Sequence, residues 1–301
     1  MENRPPAQPR QEYPREVAPS LRRPQNLPVT HHSQLPRFFL EPGASPAAPA
    51  LLASEAAHAL TVLRLVPGDH LLALDGCGHA YPMVIRASDR RSLQLEALGN
   101  PITAPAPGSS KAALPDLEIA MPWPRPQRAE ALVDRLTQLG IARIQPLLTA
   151  RTGPHGSPGP GRLERLARVA QAACKQSGRL WLPHIAAARS LADLVSGADP
   201  ATGDPPGQTP APHADQPPIP GVLLDPAAAI SLGTWARSLP SPPRLRVVLG
   251  PEGGLDAEET ALIARAGLVP AVISPHILRV EAAAEAAAAI LSDAFLAASS
   301  S

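Results

Sequence analysis

The residues best placed to do chemistry lie between Leu245 and Ala283. There Leu249-Gly250-Pro251-Glu252-Gly253-Gly254 closes an apolar, β-branched run, Leu245 to Leu249, that reads as a buried strand. Asp256 and Glu259 follow at capping-box spacing, so a helix starts there with its first amides pointing back at the turn. A strand, a glycine turn and a helix N-terminus together let a ligand approach bare backbone. Downstream, Ile277-Leu278-Arg279-Val280-Glu281 leads into an alanine-rich stretch. Glu252, Arg279 and Glu281 are thus the side chains able to steady charge or carry protons beside the turn.

Alternating strands and helices must position these groups. Leu117 to Met121 reads as a strand, and Gln127 to Leu139 as an amphipathic helix with Ala129, Leu132, Val133 and Leu136 inward and Gly140 as its cap. Further strands are expected near Ile144 to Leu148, at Gly221 to Asp225 and at Val269 to Ile273. Helices are expected from Arg162 to about Gln176, after Asp256, and from Glu281 to Leu296. This alternation argues for a parallel α/β sheet. Upstream, Arg37 to Leu40, His70 to Leu74, Ala80 to Ala87 and Ser92 to Leu98 read as short strands, with a helix around Glu55 to Leu60 and turns at Pro67-Gly68-Asp69 and Asp75-Gly76. Such spacing suggests a small β-barrel. Residues 101–113 read as a linker, residues 1–34 as a disordered proline- and arginine-rich extension, and residues 195–220 as a surface insert. Trp235 is read as a packing residue rather than a base-stacking platform.

Composition narrows the classes. Forty prolines among 301 residues mean that not every segment packs uniformly, while 44% apolar residues still leave enough for a core. Cys77 and Cys174 match no metal-ligand spacing, so reduced thiols and no metal are expected. No uncharged apolar run approaches the ~18 residues that span a membrane, which points to a cytoplasmic protein. A formal net charge of +1 says nothing for nucleic acid, but Arg125 to Arg179 holds ten Arg or Lys against three acids. Arginine at that density suits phosphate, and equally suits a solvated face. Neither Gly-x-x-x-x-Gly-Lys-Ser/Thr nor Gly-x-Gly-x-x-Gly after a strand is present, which leaves NTPase and Rossmann readings without their signatures.

The pair of motifs Gly250-Pro251-Glu252-Gly253-Gly254 and Ile277-Leu278-Arg279-Val280-Glu281 resembles the 16S ribosomal RNA (uracil-N3) methyltransferase family of the SPOUT superfamily. The resemblance runs from about Arg37 to Leu296. It implies a SPOUT-type, trefoil-knotted parallel-sheet domain over residues 114–298, preceded by a PUA-like RNA-binding β-barrel over residues 35–107. It implies S-adenosylmethionine as cofactor, a homodimer, and ribosomal RNA or the small subunit as partner. The reaction implied is methylation of a uridine N3 in small-subunit rRNA. Three loops are implied to hold the cofactor: Leu224 at the end of its strand, Leu249 with Gly250, Pro251, Glu252, Gly253 and Gly254, and Ile273 with Ile277 and Leu278. Arg279 would stabilise charge on the base, and Glu281 or Glu252 would help remove its proton. Arg37, Arg64, Arg151 and Arg179 are the implied RNA contacts.

The sequence also departs from the family pattern. Arg135-Leu136-Thr137-Gln138-Leu139-Gly140 stands for Lys-Ala-Thr-Glu-Leu-Gly, and Ala150 for a glutamate. Ile273-Ser274 stands for Leu-Gly, and Val280-Glu281-Ala282-Ala283 for Thr-Glu-Thr-Ala. These losses keep two alternatives open: methylation of another RNA, and a non-catalytic RNA-binding or assembly factor on a degenerate methyltransferase.

Overall fold

The computed structural model describes residues 34–90, 92–152, 156–196, 219–240 and 242–298. Residues 1–33, 197–218 and 153–155 lie outside it, and with them nearly all of the expected N-terminal extension and insert.

The first sheet is built from Arg37–Phe39 (β1), His70–Leu74 (β2), His79–Ser88 (β3), Leu93–Ala97 (β4) and Ile102–Thr103 (β5), with helix Ala53–Thr61 (α1) between β1 and β2. β1 runs parallel to β2, while β2, β3 and β4 form an antiparallel meander. Apolar residues alternate toward one face, so Phe38, Leu71, Met83 and Ile85 close on Ala56 and Ala59 of α1. β5 pairs with the start of β3 through His79 and Thr103. The segment expected to be a linker therefore begins as part of this sheet. Two residues of strand carry too little periodicity to be seen in sequence.

The second unit comprises Asp116–Met121 (β6), Pro126–Gln138 (α2), Arg143–Leu148 (β7), Pro160–Ser177 (α3), His184–Ile185 (β8), Arg189–Ser190 (β9), Leu191–Ser196 (α4), Gly221–Leu224 (β10), Leu232–Arg237 (α5), Arg244–Leu249 (β11), Ala257–Arg265 (α6), Val269–Ala271 (β12) and Val280–Ala298 (α7). Its parallel sheet runs β12-β10-β11-β6-β7-β8, with β9 beside the end of β7. Because strand side chains alternate, Leu117, Ile119, Leu245 and Val247 pack on α2, α5 and α7. Ala120 and Val248 face the other way, onto Leu194 of α4 and Ile263 of α6. Helices thus cover both faces, as a parallel sheet requires. Trp235 is 6% exposed within the larger core, a packing residue as its sequence context suggests. Glu118 is buried in mid-sheet, neutralised by Arg244 at 3.3 Å and Arg246 at 3.2 Å.

Two features differ from expectation. Short α4 and α5 were not expected; α5 is announced only by its N-cap, where the Ser231 side chain accepts from the Thr234 amide. One alanine face of α7 is turned inward rather than left open for the homodimer that the resemblance implies: Ala284, Ala287, Ala288 and Leu291 lie in this chain's own core.

The units are joined by specific bonds. Lys175 Nζ donates to both Glu55 carboxylate oxygens at 2.7 and 2.9 Å. Arg37 Nη1 donates to the Lys175 carbonyl at 2.9 Å, and Trp181 Nε1 to the Ala104 carbonyl at 3.1 Å. Burial pushes the Cys174 thiol up to about 11. Glu55→Ala strands a part-buried ammonium, so urea denaturation should show a loss of about 1.5–3 kcal/mol. Adding Lys175→Ala should recover part of that loss.

Candidate functional site

A parallel sheet delivers the carboxyl ends of its strands to one edge, where ligands bind in open α/β folds. Here Leu224 is in register with Leu249 on one side and Ala271 on the other, so three loops leave the sheet together. They enclose a cavity of about 340 Å³ lined by Leu224, Leu249, Gly250, Pro251, Glu252 and Gly254 together with Ile273, Ile277 and Leu278. Leu255, Asp225 and His276 join the lining, which sequence reasoning did not anticipate. Ile277 is 88% exposed, an unusual position for a large apolar side chain unless something covers it. Ser274, the departure from glycine, uses its hydroxyl to accept the His276 amide at 3.0 Å and so shapes the loop.

Gly253 is the exception among the expected cofactor residues: it lines the neighbouring cleft instead. A Cβ there would meet Arg151 Cδ at 3.3 Å, so its small size accommodates that arginine rather than a ligand in the first cavity. The positioning chain is traceable. Asp256 and Glu259 form the capping box of α6, with Glu259 Oε2 accepting the Asp256 amide. The other carboxylate oxygen, Oε1, accepts the Ala150 amide at 2.7 Å. That bond fixes the 149–151 loop, and Arg151 then donates to the Gly253 carbonyl.

The second cleft, of about 1010 Å³, shares Pro251, Glu252 and Val280 with the first. Arg125, Arg128, Arg151 and Arg279 line it, against the acids Glu252 and Glu281. Arg279 is exposed and, among the described residues, its side chain makes no hydrogen bond or ion pair. Glu281 is paired instead with Arg128, at 3.3 Å. Arg135, which replaces the family lysine, pairs with Glu285 at 2.9 Å, a second tie between α2 and α7. Arg125, Arg128 and Trp123 were not singled out from sequence; Pro126 at the helix start and the local arginine excess were the available signals.

The other expected RNA contacts are dispersed. Arg64 is exposed on the first unit, with a left-handed φ of 53°. Arg37 is engaged at the joint, as described above. Arg179 Nη1 donates to the carbonyls of Thr137 and Ile141 at 2.9 and 2.8 Å. Burial lowers its pKa from the usual arginine value, opposed by Cys174 and Asp116. Both Arg37 and Arg179 thus have a structural role that spacing in the sequence could not show. Among the described residues no cluster of His, Cys, Asp and Glu could hold a metal ion, and no helix is long and apolar enough to cross a membrane.

A family model described as an RNA methyltransferase domain matches residues 111–292, and one described as an RNA methyltransferase PUA domain matches residues 52–98. The chain is similar to the ribosomal RNA small subunit methyltransferase E of Synechocystis, 28% identical over 220 residues, 72% of this chain and 64% of that protein. The protein of the same name from Mycobacterium bovis is 26% identical over 237 residues, 77% of this chain and 81% of that one. Among solved structures, a putative methyltransferase from Legionella pneumophila, in complex with bound SAM, superposes with a TM-score of 0.64 at 21% identity, covering 87% of this chain and 98% of that one. The small subunit methyltransferase E of Neisseria gonorrhoeae, bound to S-adenosyl methionine, gives 0.64 at 22%, covering 85% and 95%. These neighbours share the fold: a SPOUT-type α/β unit preceded by a PUA unit.

Arg179→Ala removes the side-chain donor from the Ile141 carbonyl and one of the donors to the Thr137 carbonyl, which keeps the Gly140 amide. Denaturation should show a loss of about 1–3 kcal/mol, with little change in the salt dependence of RNA binding.

Proposed function

This chain belongs to the RNA methyltransferase family whose model spans residues 111–292, and from that we propose that it transfers the methyl group of S-adenosylmethionine to N3 of a uridine in small-subunit ribosomal RNA. The observation that carries the reading is the meeting of two unlike spaces at Pro251, Glu252 and Val280: a small apolar cavity and a wide arginine-lined cleft. The names of the relatives supply the target RNA and the cofactor.

The first cavity fits the cofactor by size, falling at the lower end of the ~300–1,000 Å³ usual for small-ligand sites. Leu249, Leu255, Ile277 and Leu278 offer apolar faces to an adenine, and the glycine turn and the 273–278 loop offer backbone donors and acceptors. S-adenosylmethionine, when bound, supplies a methyl group activated by its sulfonium. The work left to the protein is alignment, charge stabilisation and removal of one proton. Uracil N3 carries a proton at neutral pH, and its lone pair attacks only as that proton leaves. Arg279, free of partners among the described residues, faces the cleft and stabilises negative charge on the base carbonyls. Glu252 is the carboxylate that touches both spaces and takes the N3 proton. Glu281, held by Arg128, serves in position rather than as the proton acceptor.

A cytoplasmic homodimer with a knotted C-terminal chain completes the reading. With the alanine face of α7 buried, a second copy would use the outer groove between α5 and α7, lined by Arg237, Ile290 and Asp293. Light scattering at micromolar concentration tests it: a monomer rejects the dimer.

Mass mapping of modified nucleosides in rRNA from cells lacking the gene tests the function. Loss of N3-methyluridine supports it; an unchanged rRNA pattern favours the non-catalytic alternative. Ile277→Ala should weaken S-adenosylmethionine binding about tenfold by calorimetry, because about 1.5 kcal/mol of apolar contact is lost on binding. Its melting temperature should stay unchanged, since the side chain is exposed in the free protein. Arg279→Ala should cut the single-turnover rate by roughly 10²–10³ while leaving stability and cofactor affinity near normal.

A further inference from the structure

Of the four arginines in the wide cleft, only Arg279 belongs to one of the paired sequence motifs, and two of the others were not among the implied RNA contacts. Arg125 and Arg128 stand at the start of α2. The N-cap is Arg125, which contributes no side-chain cap; Pro126 is in the first turn, and the first turn holds no acidic residue. The amides of Arg128 and Ala129 both turn to the Arg125 carbonyl, at 2.9 and 3.1 Å. Proline has no amide hydrogen, so among the described residues the Gln127 amide is the one first-turn donor left open, on a residue that lines the cleft. The positive end of the helix dipole adds to it.

The surroundings repeat the message. The Arg125 side chain is exposed and makes no hydrogen bond or ion pair among the described residues. Arg128 gives one nitrogen, Nη1, to Glu281 and keeps its remaining donors. Beside them, Trp123 is 5% exposed, lines the same cleft, and its indole Nε1 has no hydrogen-bond partner among the described residues. Pro122, Pro124 and Pro126 complete a stiff apolar wall. The cleft has about three times the volume of the cofactor cavity, room for a base and the backbone on either side of it.

We infer that the start of α2 is the phosphate grip of this enzyme. Arg125 and Arg128, with the Gln127 amide between them, hold the phosphates flanking the uridine presented to Arg279. Planar guanidinium forks match phosphate oxygens two at a time. The Trp123 and proline wall takes the sugar and base faces of a strand whose target nucleotide is splayed out. Glu281 acts through Arg128 and is a positioning residue. The inference rests on the RNA methyltransferase reading above and assigns the part of the chain that grips the RNA.

The test is binding of unmodified 16S rRNA, transcribed in vitro, to the full chain over a salt series, with stability and S-adenosylmethionine affinity measured in parallel. Arg125→Ala should weaken RNA binding and lower the slope of log affinity against log salt by about 0.7. Arg125→Lys should restore the slope, because the charge returns. Arg128→Ala should do the same as Arg125→Ala, and Glu281→Gln should weaken binding at unchanged slope. Should Arg128→Ala fail to fold, Arg125→Ala decides alone, since that exposed side chain supports nothing else. An unchanged slope in both arginine variants, with Arg151→Ala or Arg279→Ala lowering it, overturns the grip while leaving the cleft as the RNA site. An unchanged slope in all four overturns the grip and the placement of RNA in this cleft together.

Discussion

The site depends on β11 being hydrogen-bonded in parallel on both sides, to β10 through Leu224 and Leu249 and to β6 through Val247 and Ile119. Parallel pairing forces every carboxyl end onto one edge. With β12 added beyond β10, the 225–230, 250–255 and 272–279 segments have no choice but to leave the sheet as neighbours. The strand order reverses here, since β11 lies on one side of β10 and β12 on the other, and such a switch opens a crevice. The smaller, apolar cavity is this crevice.

From that edge, one carboxylate carries the arrangement outward. Glu259 both caps α6 and holds the Ala150 amide, which ties the loop after β7 to the loop after β11. The family glutamate absent at Ala150 leaves a backbone donor in use, so the loop is anchored through its main chain. Arg151 then leans on Gly253, closing the boundary between cavity and cleft. The departures at Ser274, Arg135 and Ala150 each retain a physical part to play: a loop hydrogen bond, an ion pair to α7 and an anchored amide. The change to Ala282 has no explanation in the structure.

Arginine performs two opposite tasks in this molecule. Arg179, Arg244 and Arg246 are largely buried with carbonyl or carboxylate partners, which offset the cost of taking a guanidinium out of water. Arg125 and Arg279 keep their donors in water, and that leaves them available to a ligand. Local charge density does not separate the two groups, and the resemblance implied Arg37 and Arg179 as RNA contacts while leaving Arg125 out.

The sequence by itself determined the elements that rest on local rules. The capping box at Asp256 and Glu259, the apolar face of α2, the glycine turn after β11 and the short strands β2, β3 and β4 set off by turns all follow from spacing, because their forces act within a few residues. The residues that the resemblance assigned to the cofactor loops, apart from Gly253, line one cavity. Only the tertiary structure decided what depends on long-range packing. Glu281 meets Arg128 across 153 residues, Ala284, Ala287 and Ala288 of α7 face inward, two residues of β5 join the first sheet, and Arg179 turns to carbonyls some forty residues away. These contacts form between groups that no local periodicity relates, so the chain has to fold before its arginines divide into those that hold the protein and those left to hold its ligand.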